Sequence, residues 1–361
     1  MPDQINADHT GFAYCGRWNM DNTARMAVTI NNGATVEFAY TGAICRLMFD
    51  LNGIMIPPEI ALWVDGYGPE RVSLSTDGSV VLHPRYNSAL PGNPPFPEVR
   101  NVCHQVRFMA IMDSGYLNGM DNWNLQQCAC RFKGVILDDT ELLLTISSFP
   151  GTIEFLGDSI TAGLAMLRTT ETKSSRDFGP ASQYPEGNWP ELAARRLGLR
   201  PIVCGHGGQG VTTGGTGNVP PADEAFDWVC AGKSWRPADK PRITVIYHGT
   251  NDLTKKFNSS QYETYLRHIR SVYPETWFFA VVPHNNAVHC RPIQEAVAAL
   301  GDARIFFLDY SIGVIAAGDT SDGTHLNPGG AVRLAMRITE DIGRYLGSHL
   351  FGKTKKMAER E

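Results

Sequence analysis

The sequence has few features that would commit it to a membrane, a nucleic acid or an oxidising compartment. No apolar run approaches the about 18 residues that a membrane-spanning helix needs. The first residues, MPDQINADHTGFAY, have neither the basic nor the apolar segment of a secretory signal. We therefore expect a cytoplasmic protein, or a secreted one if a leader was removed. The net charge of −5 comes from 37 acidic and 32 basic residues without long blocks of one sign, so we expect neither a nucleic acid nor a membrane as a partner.

The cysteine and glycine patterns do not support a disulfide framework, a metal or a cofactor. Eight cysteines are scattered through 361 residues, mostly among apolar neighbours, which favours free thiols. Cys128 and Cys130, with His104, could be imagined as metal ligands, but no second C-x-x-C pair accompanies them. The glycines of GHGGQG, residues 205–210, match a dinucleotide fingerprint, yet VTTGGTGNVPP follows where the phosphate-binding helix should begin. We expect neither a metal nor a nicotinamide cofactor.

Two patterns of secondary structure divide the chain. The first 145 or so residues contain short strand-like runs at roughly 8–12-residue spacing, separated by turn sequences such as Asn31-Asn32-Gly33 and the Pro/Gly-rich stretch 89–98. This spacing is typical of a β-sandwich or jelly roll. From about residue 150, strands alternate with helices, which predicts a parallel sheet with helices on both faces. We place a jelly-roll-like sandwich domain at 1–147 and an α/β domain at 148–361.

The α/β part is predicted to contain five helices, at 188–197, 222–231, 259–272, 292–300 and 328–347. Asn188 and Asn327 each precede a helix with an early proline, the usual arrangement of an N-cap. In the last helix, one face repeats at helical spacing and is predicted to be core. It comprises Val332, Ala335, Ile338, Ile342, Tyr345 and Leu346.

Polar residues stand where the predicted strands end, which is where an open parallel sheet binds its ligands. Ser159 follows TIEFLG, the glycines at 205–215 follow PIVC, and Asn251 follows ITVIYH; Asp322 and His325 precede the last helix. A serine needs a base to accept its proton, and a histidine is suited to that role. An aspartate three residues before the histidine can fold back to its Nδ1 and fix the tautomer. These residues predict an acyl-transfer site.

Such a site also needs donors for the negative charge that develops on the substrate oxygen. The backbone N–H groups of Ser159 and of a glycine such as Gly208 or Gly210, with the Asn251 amide, are the candidates. Asp158, next to the serine, is predicted to be a hydrogen-bonding neighbour rather than the acid of the triad.

Four blocks, GDSIT at 157–161, the glycines of GHGGQG, GTND at 249–252 and DGTHLN at 322–327, resemble in order the motifs of the SGNH (GDSL-like) hydrolase superfamily. The resemblance implies a flavodoxin-like α/β/α domain, with Ser159 as nucleophile, Gly208 and Asn251 as oxyanion donors, and Asp322 and His325 completing the triad. The second block departs from the usual Asn-x-Gly pattern, so the choice between Gly208 and Gly210 stays open.

A β-rich domain ahead of such a hydrolase is similar to the arrangement in carbohydrate esterase family two. The resemblance implies a serine esterase that removes O-acetyl groups from xylan- or mannan-derived oligosaccharides through an acyl-enzyme, so an acetylated sugar is the expected partner. Two alternatives are an esterase or thioesterase for other short acyl groups, and a carbohydrate-binding protein with a vestigial hydrolase site.

Overall fold

The computed structural model describes residues 4–42, 44–82, 103–113, 119–137, 142–146, 151–168, 179–237, 240–284 and 286–350. The predicted domain boundary at 147/148 and the Pro/Gly-rich stretch at 89–98 lie outside the described residues. Within them, no helix is both long enough and apolar enough to cross a membrane.

The N-terminal part is a sandwich of two antiparallel sheets. The strands are β1 (Gln4–Asn6), β2 (Ala13–Cys15), β3 (Asn19–Asp21), β4 (Met26–Thr29), β5 (Thr35–Thr41), β6 (Cys45–Phe49), β7 (Glu59–Val64), β8 (Tyr67–Ser73), β9 (Ser79–Leu82), β10 (Cys103–Ile111), β11 (Cys130–Leu137) and β12 (Leu143–Leu144). One sheet has the order β3-β4-β11-β6-β9 with β1 added to β11, and the other has the order β12-β5-β10-β7-β8 with β2 added to β5. The all-β prediction is confirmed.

An aromatic cluster fills the space between the two sheets. Phe108 and Phe132 lie with ring centroids 5.0 Å apart, and Phe12, Phe38 and Phe49 pack around them. Each of these rings comes from an inward-facing position of a strand or of the loop before β2, so alternating positions build one core. Such buried rings stabilise the fold through the apolar area that they bury and through their edge-to-face contacts.

The C-terminal part contains a parallel sheet of five strands, β13 (Thr152–Asp158), β14 (Arg200–His206), β17 (Ile243–Tyr247), β18 (Trp277–Val282) and β19 (Ile305–Asp309). Their order in the sheet is β14-β13-β17-β18-β19. In chain order this is the 2-1-3-4-5 arrangement of flavodoxin-like folds, which confirms the fold prediction. The strand order reverses between β13 and β17, so ligands are expected beyond the carboxyl ends of these two strands.

Helices cover both faces of this sheet. They are α1 (Ser159–Ala162), α2 (Trp189–Arg196), α3 (Ala222–Ala225), α4 (Ser259–Val272), α5 (Cys290–Leu300) and α6 (Pro328–Leu350). Residues of α2 and α6 share one core with the sheet, whereas α4 and α5 pack in the core on the other face. Asn188 caps α2 by accepting from Trp189 N at 2.8 Å, as predicted.

Two predictions about helices were wrong. The helix expected at 222–231 ends at Ala225 and is followed by a small hairpin, β15 (Trp228–Cys230) with β16 (Lys233–Ser234). The carbonyls of Phe226 and Trp228 instead accept hydrogen bonds from the Arg17 guanidinium of the sandwich, a long-range contact that sequence periodicity cannot reveal.

The buried face of α6 also differs from the predicted one. Val332 and Tyr345 are 47% and 43% exposed, whereas Ala331 and Leu334 are fully buried. The centre of the stripe therefore runs through Leu334, Ala335 and Ile338, and the two mispredicted side chains lie at its edges.

Candidate active site

Ser159 is held at a sharp junction between a buried strand and a helix. Strand β13 ends at Asp158, and Ser159 is the first residue of the short helix α1. The Asp158 carboxylate accepts a hydrogen bond from Ile160 N at 2.9 Å, which caps this helix. The serine is 7% exposed, so its hydroxyl is fixed by its surroundings rather than moving freely in solvent.

His325 connects this serine to an aspartate. Its Nε2 lies 2.9 Å from Ser159 Oγ, and its Nδ1 lies 2.8 Å from Asp322 Oδ2. A carboxylate only accepts hydrogen bonds, so this network assigns the imidazole proton to Nδ1 and leaves Nε2 to accept the serine proton. The three predicted catalytic residues are thus brought together by β13 and the loop before α6.

The turn from Asp322 to His325 orients the carboxylate. Asp322 Oδ1 accepts from the backbone N–H groups of Thr324 at 3.0 Å and His325 at 2.8 Å, and Gly323 has a φ of +91° that few side-chain-bearing residues adopt. Arg168 donates to Asp322 Oδ2 at 3.3 Å. Partial burial would raise the pKa of Asp322, but the hydrogen bonds and charge of His325, with these backbone donors, hold it well below its usual range. The carboxylate is therefore ionised at neutral pH.

The glycine-rich loop after β14 holds two glycines with different roles. Gly210 donates its N–H to Thr213 O at 2.8 Å, and a Cβ added to it would approach Asp252 Oδ2 to 2.4 Å. Gly208 has a φ of +70°, and its N–H donates to no backbone carbonyl within the described ranges. The Gly210 N–H is committed within its own loop, whereas the Gly208 N–H is not.

Asn251 connects the end of β13, directly before Ser159, to this loop. Its Nδ2 donates to Gln209 O at 3.0 Å and to Asp158 Oδ2 at 3.2 Å. Asp158 is fully buried, and that burial raises its pKa to about 6, against the hydrogen bond from Ile160 N that favours the charged form. Asp158, the last residue of β13, thus bonds to Ile160 and Asn251, whereas the aspartate bonded to His325 is Asp322. This placement agrees with its predicted role as a hydrogen-bonding neighbour of Ser159.

Asp252, which sequence reasoning did not assign, anchors the glycine-rich loop. Its carboxylate is fully buried and accepts from Val211 N, Thr212 N and Thr212 Oγ1, each at 2.9 Å. The sequence did mark Asp252, because it directly follows Asn251 in the third of the four sequence blocks, GTND. No motif marks Arg168, whose contact with Asp322 arises only in the folded chain.

The other candidates from the sequence lie apart from this centre. His104 pairs with Asp65 Oδ2 at 2.8 Å, whereas the Cys128 thiol contacts Met120 Sδ at 3.6 Å, so these side chains do not share a site. No cluster of three or more potential metal ligands occurs in the described residues. All eight cysteines are among those residues, and no two of them form a disulfide bond.

Comparisons with known proteins found a similarity for one segment of the sequence and for the whole fold. The sequence model of the GDSL-like lipase/acylhydrolase family matches residues 155–333. A search of curated protein sequences found no significant match.

Several solved structures have the same two-part architecture. A family two carbohydrate esterase from Clostridium thermocellum, solved in complex with cellohexaose, has a TM-score of 0.73 at 18% identity, covering 93% of this chain and 99% of that one. A family two carbohydrate esterase from Cellvibrio japonicus has a TM-score of 0.75 at 16% identity, covering 96% and 98%. The acetyl xylan esterase Est2A from Butyrivibrio proteoclasticus has a TM-score of 0.72 at 16% identity, covering 96% and 99%.

These similarities extend over both halves of the chain, so the sandwich and the parallel sheet together reproduce one known architecture. Residues 155–333 thus match the GDSL-like lipase/acylhydrolase family, and the β-sandwich that precedes them completes a fold similar to that of the solved family two carbohydrate esterases.

Proposed function

We propose that this protein is a serine esterase that removes O-acetyl groups from carbohydrates. The observation that carries the proposal is the continuous hydrogen-bonded chain from Ser159 Oγ through His325 to Asp322, with separations of 2.9 and 2.8 Å. These separations are within the range expected of a nucleophile, its base and the residue that orients the base. The fold similarity to carbohydrate esterases supports the choice of substrate class.

In the proposed reaction, Ser159 Oγ attacks the ester carbonyl while its proton passes to His325 Nε2. The tetrahedral intermediate collapses as the imidazolium returns that proton to the leaving sugar oxygen, which leaves an acetyl-serine. Water, deprotonated by the same Nε2, then attacks the acetyl-serine and releases acetate and free serine. Asp322 remains ionised throughout and stabilises the transient imidazolium.

We assign the oxyanion hole to the backbone N–H groups of Ser159 and Gly208 and to the Asn251 side chain. Gly208 is preferred over Gly210 because the Gly210 N–H is already bonded to Thr213 O. Asn251 Nδ2 contacts both Gln209 O and Asp158 Oδ2, so binding of an oxyanion must draw one of its two hydrogens away from these acceptors. Protonation or movement of the buried Asp158 would make that exchange easier.

The test is an acetate-release assay over acetylated xylo-, manno- and gluco-oligosaccharides, beside p-nitrophenyl acetate and longer acyl esters. We expect activity to fall steeply with acyl length, and the Ser159→Ala variant serves as the inactive control. A preference for octanoyl over acetyl esters would contradict the acetyl assignment, and turnover of thioesters or other short acyl esters alone would favour the broader esterase alternative.

A fluorophosphonate probe separates an enzyme from a binding protein. Covalent modification at Ser159 supports the esterase, because only an activated serine reacts rapidly with this reagent. Retained sugar binding without any labelling would support the alternative of a carbohydrate-binding protein with a vestigial site.

A further inference from the structure

The peptide group that joins Thr324 to His325 is hydrogen-bonded on both sides. Its N–H, which belongs to His325, donates to Asp322 Oδ1 at 2.8 Å. Its C=O, which belongs to Thr324, accepts from His284 Nε2 at 3.0 Å. The two groups of a trans peptide point in opposite directions, so these bonds fix the plane of the peptide from which His325 extends.

His284 can make this contact in one tautomer only, and its own neighbours select that tautomer. A carbonyl is an acceptor, so Nε2 must carry the proton that His284 donates to Thr324. The opposite ring nitrogen, Nδ1, lies 2.9 Å from Tyr247 Oη, while the same hydroxyl accepts from His284 N at 3.1 Å. The Tyr247 hydroxyl therefore donates to Nδ1. Both side chains are at most 2% exposed, so water does not compete for these bonds.

We propose that His284 is a positioning residue for the reaction: through the Thr324 carbonyl it holds His325 at hydrogen-bond distance from Ser159. His284 follows β18, and Tyr247 is the last residue of β17, so the tether ties the loop before α6 to the end of the sheet. Without it, the peptide plane before His325 would be held on one side only, by the bond from His325 N–H to Asp322. The Ser321 N–H, which donates to His325 O at 2.8 Å, restrains the far side of the turn but not this peptide. A displacement of about 1 Å at a catalytic base is enough to lower turnover by about a hundredfold.

Two substitutions at this position separate the hydrogen bond from the bulk of the side chain. In His284→Gln, the side-chain Nε2 occupies the place of the imidazole Nε2 and can still donate to Thr324 O. In His284→Asn, the amide mimics the nitrogen that faces Tyr247, and the donor to Thr324 is lost. His104→Asn is the matched control, since His104 is also buried and hydrogen-bonded but lies in the sandwich against Asp65.

We expect His284→Asn to lower kcat by roughly 10–100-fold with KM nearly unchanged, because His284 is 2% exposed and offers almost no surface to a substrate. His284→Gln should retain kcat within about threefold, and His104→Asn should match the unmodified protein. The rate of fluorophosphonate labelling at Ser159 should follow the same order. Equal kcat values for the Asn and Gln variants, each with a thermal unfolding midpoint close to that of the unmodified protein, would overturn the inference.

The kinetic readouts rest on the proposed function, but crystal structures of the two variants do not. We expect the contact between His325 Nε2 and Ser159 Oγ to be kept in His284→Gln and lengthened beyond hydrogen-bonding distance in His284→Asn. An unchanged contact in His284→Asn would overturn the positional claim. If labelling of Ser159 depends on residue 284 while no acetylated sugar is hydrolysed, the inference stands and the proposed substrate fails.

Discussion

Replacing Asp322 by asparagine tests the central step of the proposed mechanism. The asparagine oxygen can still accept the backbone N–H groups of Thr324 and His325, so the turn is expected to remain folded. With that oxygen so occupied, the amide nitrogen replaces the oxygen that now faces His325 Nδ1. Because this nitrogen is a donor, it favours the imidazole tautomer with its proton on Nε2, which cannot accept the proton of Ser159.

The expected loss of kcat is roughly 10²–10⁴-fold, which corresponds to about 2.7–5.4 kcal/mol of transition-state stabilisation. The upper figure is that of a triad whose base is held in the wrong tautomer. The lower figure allows for the contact of Arg168 with the same carboxylate oxygen, which already offsets part of its charge in the unmodified protein. KM should change little, because the lost interaction strengthens only as the imidazolium forms.

The assay is acetate release from one acetylated substrate, with kcat and KM measured separately at neutral pH. Asp309→Asn is the control, since the Asp309 carboxylate bonds to Ser311 and does not contact His325. Retention of more than about a third of kcat in Asp322→Asn would refute the reasoning, because a triad aspartate contributes far more than that. The working unit would then be a Ser159–His325 pair, and the aspartate would serve only to form the turn.

Three further predictions concern the nucleophile, the ion pair between the two halves of the chain, and the pH dependence of stability. Ser159→Ala should lower kcat by roughly 10⁵–10⁶-fold in the same assay, and a smaller loss than that of Asp322→Asn would exclude Ser159 as nucleophile. Arg17→Met leaves the Glu154 carboxylate buried without its cationic partner, so it should lower the free energy of unfolding, measured in urea, by about 3–5 kcal/mol. Adding Glu154→Gln should restore part of that loss, and no recovery would contradict the claim that the unpaired carboxylate causes it. Burial lowers the pKa of His206 to about 3, so between about pH 6.5 and pH 3 the unfolded protein binds one more proton at this residue than the folded protein does. The contribution of neutral His206 to the free energy of unfolding is therefore lost as pH falls through that window. His206→Asn should therefore reduce the pH slope of the free energy of unfolding by about 1.4 kcal/mol per pH unit in that window, and an unchanged slope would show that His206 titrates normally.

The predicted site residues come together because the sequence signals are local and the fold rule is general. Ser159, Gly208 and Asn251 each follow a strand of the parallel sheet, and the carboxyl ends of parallel strands meet at one edge. The spacing of Asp322 and His325 also suffices to predict their contact, since only two residues separate them. Position at the end of a strand, together with short spacing along the chain, is therefore enough to predict that these side chains meet.

The remaining features of the site depend on contacts between distant segments. Arg168 approaches Asp322 across 154 residues, and His284 approaches Thr324 across 40, without any periodicity or motif that marks either pair. The helix prediction after Ala225 failed for the same reason, because the Arg17 guanidinium, from the other half of the chain, donates hydrogen bonds to the carbonyls of Phe226 and Trp228. Propensity could not anticipate these pairings, because tertiary hydrogen bonds override it.

The contact between Arg17 and Glu154 suggests why the sandwich and the hydrolase domain occur together. Glu154 lies on β13, the strand that ends directly before Ser159, and its carboxylate is fully buried against the Arg17 guanidinium at 2.9 Å. The same guanidinium lies over the rings of Phe226 and Trp235 in the hydrolase domain. A hydrolase domain without the sandwich would keep the Glu154 carboxylate on β13 but would lose the cation that compensates it, and an uncompensated charge in a protein interior is costly. The sandwich thus supplies a residue that the serine strand needs, and we expect a fragment beginning near residue 148 to lose stability and activity together.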